Sequence, residues 1–148
     1  MIADCGIRIA DWRRMTPDEM KQRTRKLSLR IVRLVESLPN TRTADVIGKQ
    51  LLRCGTSVGA NYRAACRAKS RADFAAKMGI VEEEADEIVY WIELLTECGL
   101  MKQKLVTELL AETNEIIAMV VSSIKTARSD GNQRRDVKSA IRIPQSVI

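Results

Sequence analysis

Five carboxylates crowd one short stretch of the sequence, Glu82, Glu83, Glu84, Asp86 and Glu87, and a group like that can do one of three things. It can hold a metal, work as an acid and base pair, or balance arginines elsewhere. The sequence contains no histidine. That removes Ser-His-Asp and Cys-His catalysis, the Glu-x-x-His di-iron site and most catalytic zinc sites. A metal would then need more ligand types than the acidic run supplies, and acid-base work by Glu83, Glu84 and Glu87 would need an enclosed pocket. Pairing with arginines or with water is the simpler expectation, so the sequence predicts no catalytic residue, no metal, no cofactor and no enzyme.

The four cysteines, Cys5, Cys54, Cys66 and Cys98, contain no Cys-x-x-Cys pair. Cys54 and Cys66 fall within one expected helix, about 18 Å apart at 1.5 Å per residue, too far for a disulfide. Free thiols in a reducing cytoplasm follow. The longest aliphatic run, Ile116 to Val121, is far short of a membrane span, and the opening residues lack a signal-peptide core. The expectation is a cytoplasmic protein with no membrane partner.

The third chemistry is phosphate binding. Net charge is +6 with a pI near 9.4, but it is unevenly placed. Residues 17–77 hold fourteen basic groups against five acidic, whereas residues 78–115 hold two against ten. Neighbouring helices can cancel these charges, or leave a basic face for an anionic partner. Arg23, Lys26, Arg30 and Arg33 step by three, four and three, which aligns them along one helix face. Arg53, Arg63 and Arg67, then Lys69 and Arg71 at the following turn, complete the candidate nucleic-acid contacts. No aromatic residue is interleaved with the Arg23–Arg33 stripe to stack on bases.

The elements that must position these residues are four helices. Thr16-Pro17-Asp18-Glu19 is a capping box with proline at the first helical position, and Leu27, Ile31, Leu34, Val35 and Leu38 recur at helical spacing until Pro39-Asn40. A second helix is expected from near Thr43 towards Ala68, with Ile47, Leu51, Cys54, Val58, Tyr62 and Ala65 inward. Gly48, Gly55 and Gly59 inside it each cost about 1 kcal/mol of helix propensity, so either another backbone comes close or the helix breaks near Gly55. Asn61 is a candidate buried hydrogen-bonding residue.

Ser70 and Asp73 open a third helix in which Phe74, Met78, Val81, Ala85, Ile88, Ile92 and Leu95 form a heptad seam, ended by Gly99. The fourth helix is expected from Lys102 to Arg128 with Leu105, Leu109, Ile116, Val120 and Ile124 inward. Ser129-Asp130-Gly131-Asn132 is then expected to break it. The domain plan is an N-terminal extension (residues 1–15), a bundle (16–128) and a basic, flexible tail (129–148). Short links between long helices make an all-α, antiparallel up-down-up-down four-helix bundle.

From Leu51 to Leu100 the sequence resembles the bacterial four-helix-bundle proteins first noticed in intervening sequences of large-subunit ribosomal RNA genes. The motifs that carry it are Gln50 to Arg53, Thr56-Ser57-Val58-Gly59-Ala60-Asn61-Tyr62, Ser70 to Phe74 with Lys77, Glu84-Ala85-Asp86-Glu87 and Tyr90-Trp91-Ile92-Glu93-Leu94-Leu95, with Leu38-Pro39 closing the first helix. Cys54 stands where serine is frequent, and Arg63 where an acidic residue is common, a departure that makes this surface more basic. The resemblance implies a ring-shaped homopentamer without enzymatic activity. A wider branch serves diversity-generating retroelements, binding a reverse transcriptase and nucleic acid through a basic surface. Two functions follow as expectations: a non-enzymatic oligomeric bundle that binds structured RNA or DNA, or a scaffold that meets itself or a protein partner without nucleic acid.

Overall fold

The computed structural model describes residues 15–140, and the side chains of residues 15–130. Four helices follow one another: α1 (Pro17–Glu36), α2 (Arg42–Ala65), α3 (Arg71–Glu97) and α4 (Gln103–Ala140). No strand occurs among the described residues. Each helix packs along its sequence neighbours, and α1 also meets α4 over a smaller contact. This is the all-α bundle that periodicity and short links predict.

Local chemistry sets the helix ends. Thr16 Oγ1 accepts from the Glu19 N–H at 3.2 Å while Glu19 Oε2 accepts from the Thr16 N–H at 2.8 Å, so both halves of the capping box are made. Thr41 caps α2 and Ser70 caps α3 in the same way, by accepting from Ala44 and Asp73 N–H groups. Gly99, at φ 74°, takes the left-handed position after α3. Its N–H donates to Thr96 O and the next, from Leu100, to Leu95 O, the paired bonds of a Schellman stop.

The core contains Leu27, Ile31, Leu51, Val58, Met78, Val81, Ile88, Ile92, Leu95, Val106, Ile116 and Val120, all buried below 2% exposure. The α3 seam lies as its heptads predict, with Phe74 half-buried at its first turn. In α4, Leu109, Ile116, Val120 and Ile124 are buried as expected, and only the first expected position differs. Leu105 is 65% exposed and Val106 is buried in its place. Thr113 is also fully buried, hiding its hydroxyl by donating to Leu109 O at 2.8 Å.

Helix α2 is unbroken through its three glycines. They mark where α1 comes close: a Cβ on Gly55 would sit 2.6 Å from Ile31 Cδ1, and one on Gly59 3.4 Å from Thr24 Oγ1 and 3.7 Å from its carbonyl carbon. Ser28 Oγ crosses the same seam to donate to Gly55 O at 2.8 Å. Asn61 is half-buried, and its amide donates within α2 to Ser57 O and Oγ rather than to another helix.

Two helix ends depart from expectation. Helix α2 stops at Ala65, three residues early, where Cys66 forms the cap. Helix α4 does not break at Ser129-Asp130-Gly131-Asn132 but continues to Ala140. A single glycine costs only about 1 kcal/mol, and Arg71 of α3 grips Asp130 at 2.6 Å, tying that turn to the bundle. The expected N-terminal extension up to residue 14 and the last eight residues of the expected tail lie outside the described residues.

Candidate nucleic-acid interface

The nine expected phosphate contacts divide into cations held by carboxylates and cations that are not. Arg23 is the most firmly held. Its Nε and Nη2 donate to the two oxygens of Glu112 at 2.6 and 2.9 Å, Nη2 also reaches Glu115, and only 13% of the side chain is exposed. The hydrogen bond that Arg23 donates to Glu112 pushes the guanidinium pKa further up against the cost of burial, so Arg23 is a permanent cation joining α1 to α4. Arg30 approaches Glu108 at 4.0 Å, the outer limit of a pair. The α1 stripe therefore turns towards the acidic residues of α4.

Arg53 answers the question raised by the acidic run. Its Nη1 lies 3.0 Å from Glu84 Oε2 and its Nη2 pairs with Glu87, linking α2 to α3. Charge balance is what Glu84 and Glu87 do here, and the partner comes from the second helix. Among the described residues no three Cys, Asp or Glu side chains gather into a metal site. Arg71 Nη1 pairs with Asp130 at 2.6 Å.

Lys26, Arg33, Arg63, Arg67 and Lys69 are exposed, and among the described residues no carboxylate lies within 4 Å of their charges. Arg63 and Arg67 sit one turn apart at the end of α2. Lys69 follows in the α2–α3 turn, where its backbone N–H donates to Asp73 Oδ2 at 3.0 Å. That bond and the Lys77 ammonium at 2.6 Å hold the Asp73 carboxyl below the usual range, with Lys77 the larger cause.

Lys69 and Arg71 line one cleft of about 630 Å³ together with Lys21, Pro17, Tyr62 and Ser70. Lys21 escaped the sequence reading. Its neighbour Asp18 lies 3.9 Å away, and its approach to Lys69 joins two helix ends that no local spacing connects. A second cleft, about 500 Å³, runs between α1 and α4 past Arg23, Lys26, Arg30 and Glu112. The nine residues thus form no single face: Arg23, Lys26 and Arg30 line the α1–α4 seam, and Lys69 and Arg71 cluster with Lys21 at the end of the bundle.

Three of the four cysteines lie among the described residues. Cys54 is fully buried and, chiefly by burial, its thiol is pushed up to about 12. Cys66 and Cys98 are exposed and free. Burial and the bond with Cys66 push the Tyr62 phenol up as well. No helix among the described residues is long and apolar enough to cross a membrane.

No curated protein matches the chain. Among solved structures, a protein of unknown function from the S23 ribosomal protein family of Bacteroides thetaiotaomicron is 38% identical, with a TM-score of 0.70, over 75% of this chain and 99% of that one. Residues 18–122, from the first turn of α1 into α4, match the family model described as 23S rRNA-intervening sequence protein. The Thr41 and Ser70 caps, the glycine-lined seam, α2 and α3 lie within that span, and the chain belongs to the 23S rRNA-intervening sequence protein family.

Proposed function

We propose that the chain is a non-enzymatic, self-associating bundle of the cytoplasm that binds RNA or DNA through Lys26, Arg33, Arg63, Arg67 and Lys69. The observation that carries this reading is the set of exposed cations left over once Arg23, Arg30, Arg53 and Arg71 have taken their carboxylates. A family description that refers to 23S rRNA supports trying RNA first. Self-association, as a pentamer, rests on the family resemblance.

Counterion release sets the size of the effect. Five phosphate contacts per protomer give a slope of about −4.5 in log affinity against log salt, hence about a 500-fold loss between 50 and 200 mM. Replacing Arg63 and Arg67 by alanine should flatten that slope by about 1.8 without changing the fold. Fluorescence polarisation of labelled RNA and DNA, with light scattering on the same samples, is the test. An affinity indifferent to salt refutes phosphate binding, and an assembly that takes up nothing at low salt leaves the scaffold alternative.

A further inference from the structure

The leftover cations at the end of α2 stand among small side chains. Thr56 and Ala60 are exposed on the face of α2 that also carries Arg63, Ala64 is half-buried, and Arg67 follows just past the helix end. Among the described residues the large exposed aromatic is Tyr90, on α3 in the acidic region of the chain, set edge-on to Trp91. The support is stiff: α2 runs without interruption for 24 residues, about 36 Å, seated on α1 along Gly48, Gly55 and Gly59. The helix holds Arg63 in place before any ligand arrives, and Arg67 and Lys69 follow in the short turn that the Ser70 cap closes.

Single and double strands ask different things of such a surface. A single strand presents base faces, and proteins hold it by pairing a charged groove with aromatic platforms. A duplex hides its base faces and presents rows of phosphates at fixed spacing, with one charge for about every 1.7 Å of axis in DNA. A-form RNA is likewise met through its shape, its phosphates and its 2′-hydroxyls. Cations among alanines and threonine suit the second ligand. The small residues let the sugar-phosphate backbone approach, while Tyr62 is buried and Phe74 half-buried in the cleft beside Lys69, so neither presents an open face to a base.

We infer that the Arg63–Lys69 surface takes double-stranded nucleic acid by its phosphate rows, in preference to single strands. This rests on the reading under Proposed function and narrows its ligand class. RNA and DNA duplexes share the chemistry and are separated by the assay.

The test uses the full chain and one 20-nucleotide sequence prepared as single-stranded RNA, single-stranded DNA, duplex RNA and duplex DNA, all at the same low salt. Each duplex should bind about tenfold more tightly than its single strand, with the steeper salt slope, about 0.9 against 0.7 per phosphate. Single strands that bind as tightly as duplexes overturn the inference while leaving phosphate binding intact. If no form binds, phosphate binding itself falls and the inference with it. The variant Ala60→Trp adds a stacking platform at an exposed position. It should strengthen single-strand binding about fivefold and weaken duplex binding, because the indole stands where the sugar-phosphate backbone would approach. An unchanged single-strand affinity, in a variant whose melting curve matches the parent, would mean that nucleic acid does not lie along this face, and would also overturn the inference.

Discussion

Replacing Gly55 by alanine sets two effects of known sign against each other. In an open helix interior the change gains about 1 kcal/mol of helix propensity. At Gly55 the new methyl would lie 2.6 Å from Ile31 Cδ1, 2.7 Å from Cγ2 and 3.1 Å from Cβ. Carbon atoms rest at about 3.5 to 4 Å, so the overlap approaches 1 Å, and the Cβ and Cγ2 atoms of a fully buried β-branched side chain cannot swing away. Overpacking of this kind costs about 1 to 3 kcal/mol, and moving α1 outward also stretches the Ser28–Gly55 hydrogen bond, worth about 1 kcal/mol. The net expectation for Gly55→Ala is a loss of about 1 to 3 kcal/mol. Gly79, in α3, is the control: a Cβ there meets nothing within 4 Å, so Gly79→Ala should gain about 1 kcal/mol. The decisive background is Ile31→Ala, where the overlap is gone and Gly55→Ala should become neutral or stabilising. Urea unfolding followed by circular dichroism at one protomer concentration measures all four variants, and the slope m should stay constant. If Gly55→Ala stabilises the wild-type chain as much as Gly79→Ala does, the close seating of α1 on α2 is wrong.

Two further outcomes follow from titrating groups. Asp73 has its folded pKa below the unfolded value of about 3.9, so its contribution is complete above that value and is lost as pH falls through the folded pKa. The stability gap between wild type and Asp73→Asn should be level near neutrality and close below about pH 4; a gap that widens on acidification contradicts the assignment. Cys54, buried and protonated at neutral pH, should react with a maleimide only through opening of the α1–α2 seam, at a rate that Gly55→Ala raises. Labelling in a Cys5→Ser, Cys66→Ser, Cys98→Ser background checks this, and a rate equal to that of an exposed thiol would refute it.

The parts legible in the sequence are those set by residues close together along the chain. The Thr16 capping box, the Ser70 cap, the Gly99 stop and the α3 heptads all depend on spacings of three to seven residues, and each occurs where its spacing places it. Leu105 and its neighbour Val106 are both apolar, so hydrophobicity alone does not choose between them, and Thr113 escapes an apolar count altogether. The actual α4 seam runs Val106, Leu109, Thr113, Ile116, and its buried threonine is satisfied by a backbone bond that hydrophobicity does not register. The site was less legible. A periodic stripe aligns Arg23, Lys26, Arg30 and Arg33, yet whether that stripe meets water or another helix depends on how α1 is rotated against α4. Glu112 and Glu115 lie 89 and 92 residues away from Arg23, and no local pattern pairs them. The run on past Gly131 was missed because the ion pair from Arg71 to Asp130 is also between helices.

That same Arg23 clasp has a kinetic meaning. Most helix contacts join neighbours along the chain, and such topologies form quickly because little loop entropy is spent before a contact is made. The meeting of α1 with α4 is the exception, since it closes the whole chain on itself through a narrow seam. It is therefore expected to form last and to open first, α1 lifting from α4 while α2 stays packed on α3. The bidentate hold of Glu112 on Arg23 sets how often that happens. Amide hydrogen exchange along α1 should report it, as an opening that comes before global unfolding and becomes more frequent when Glu112 is made glutamine.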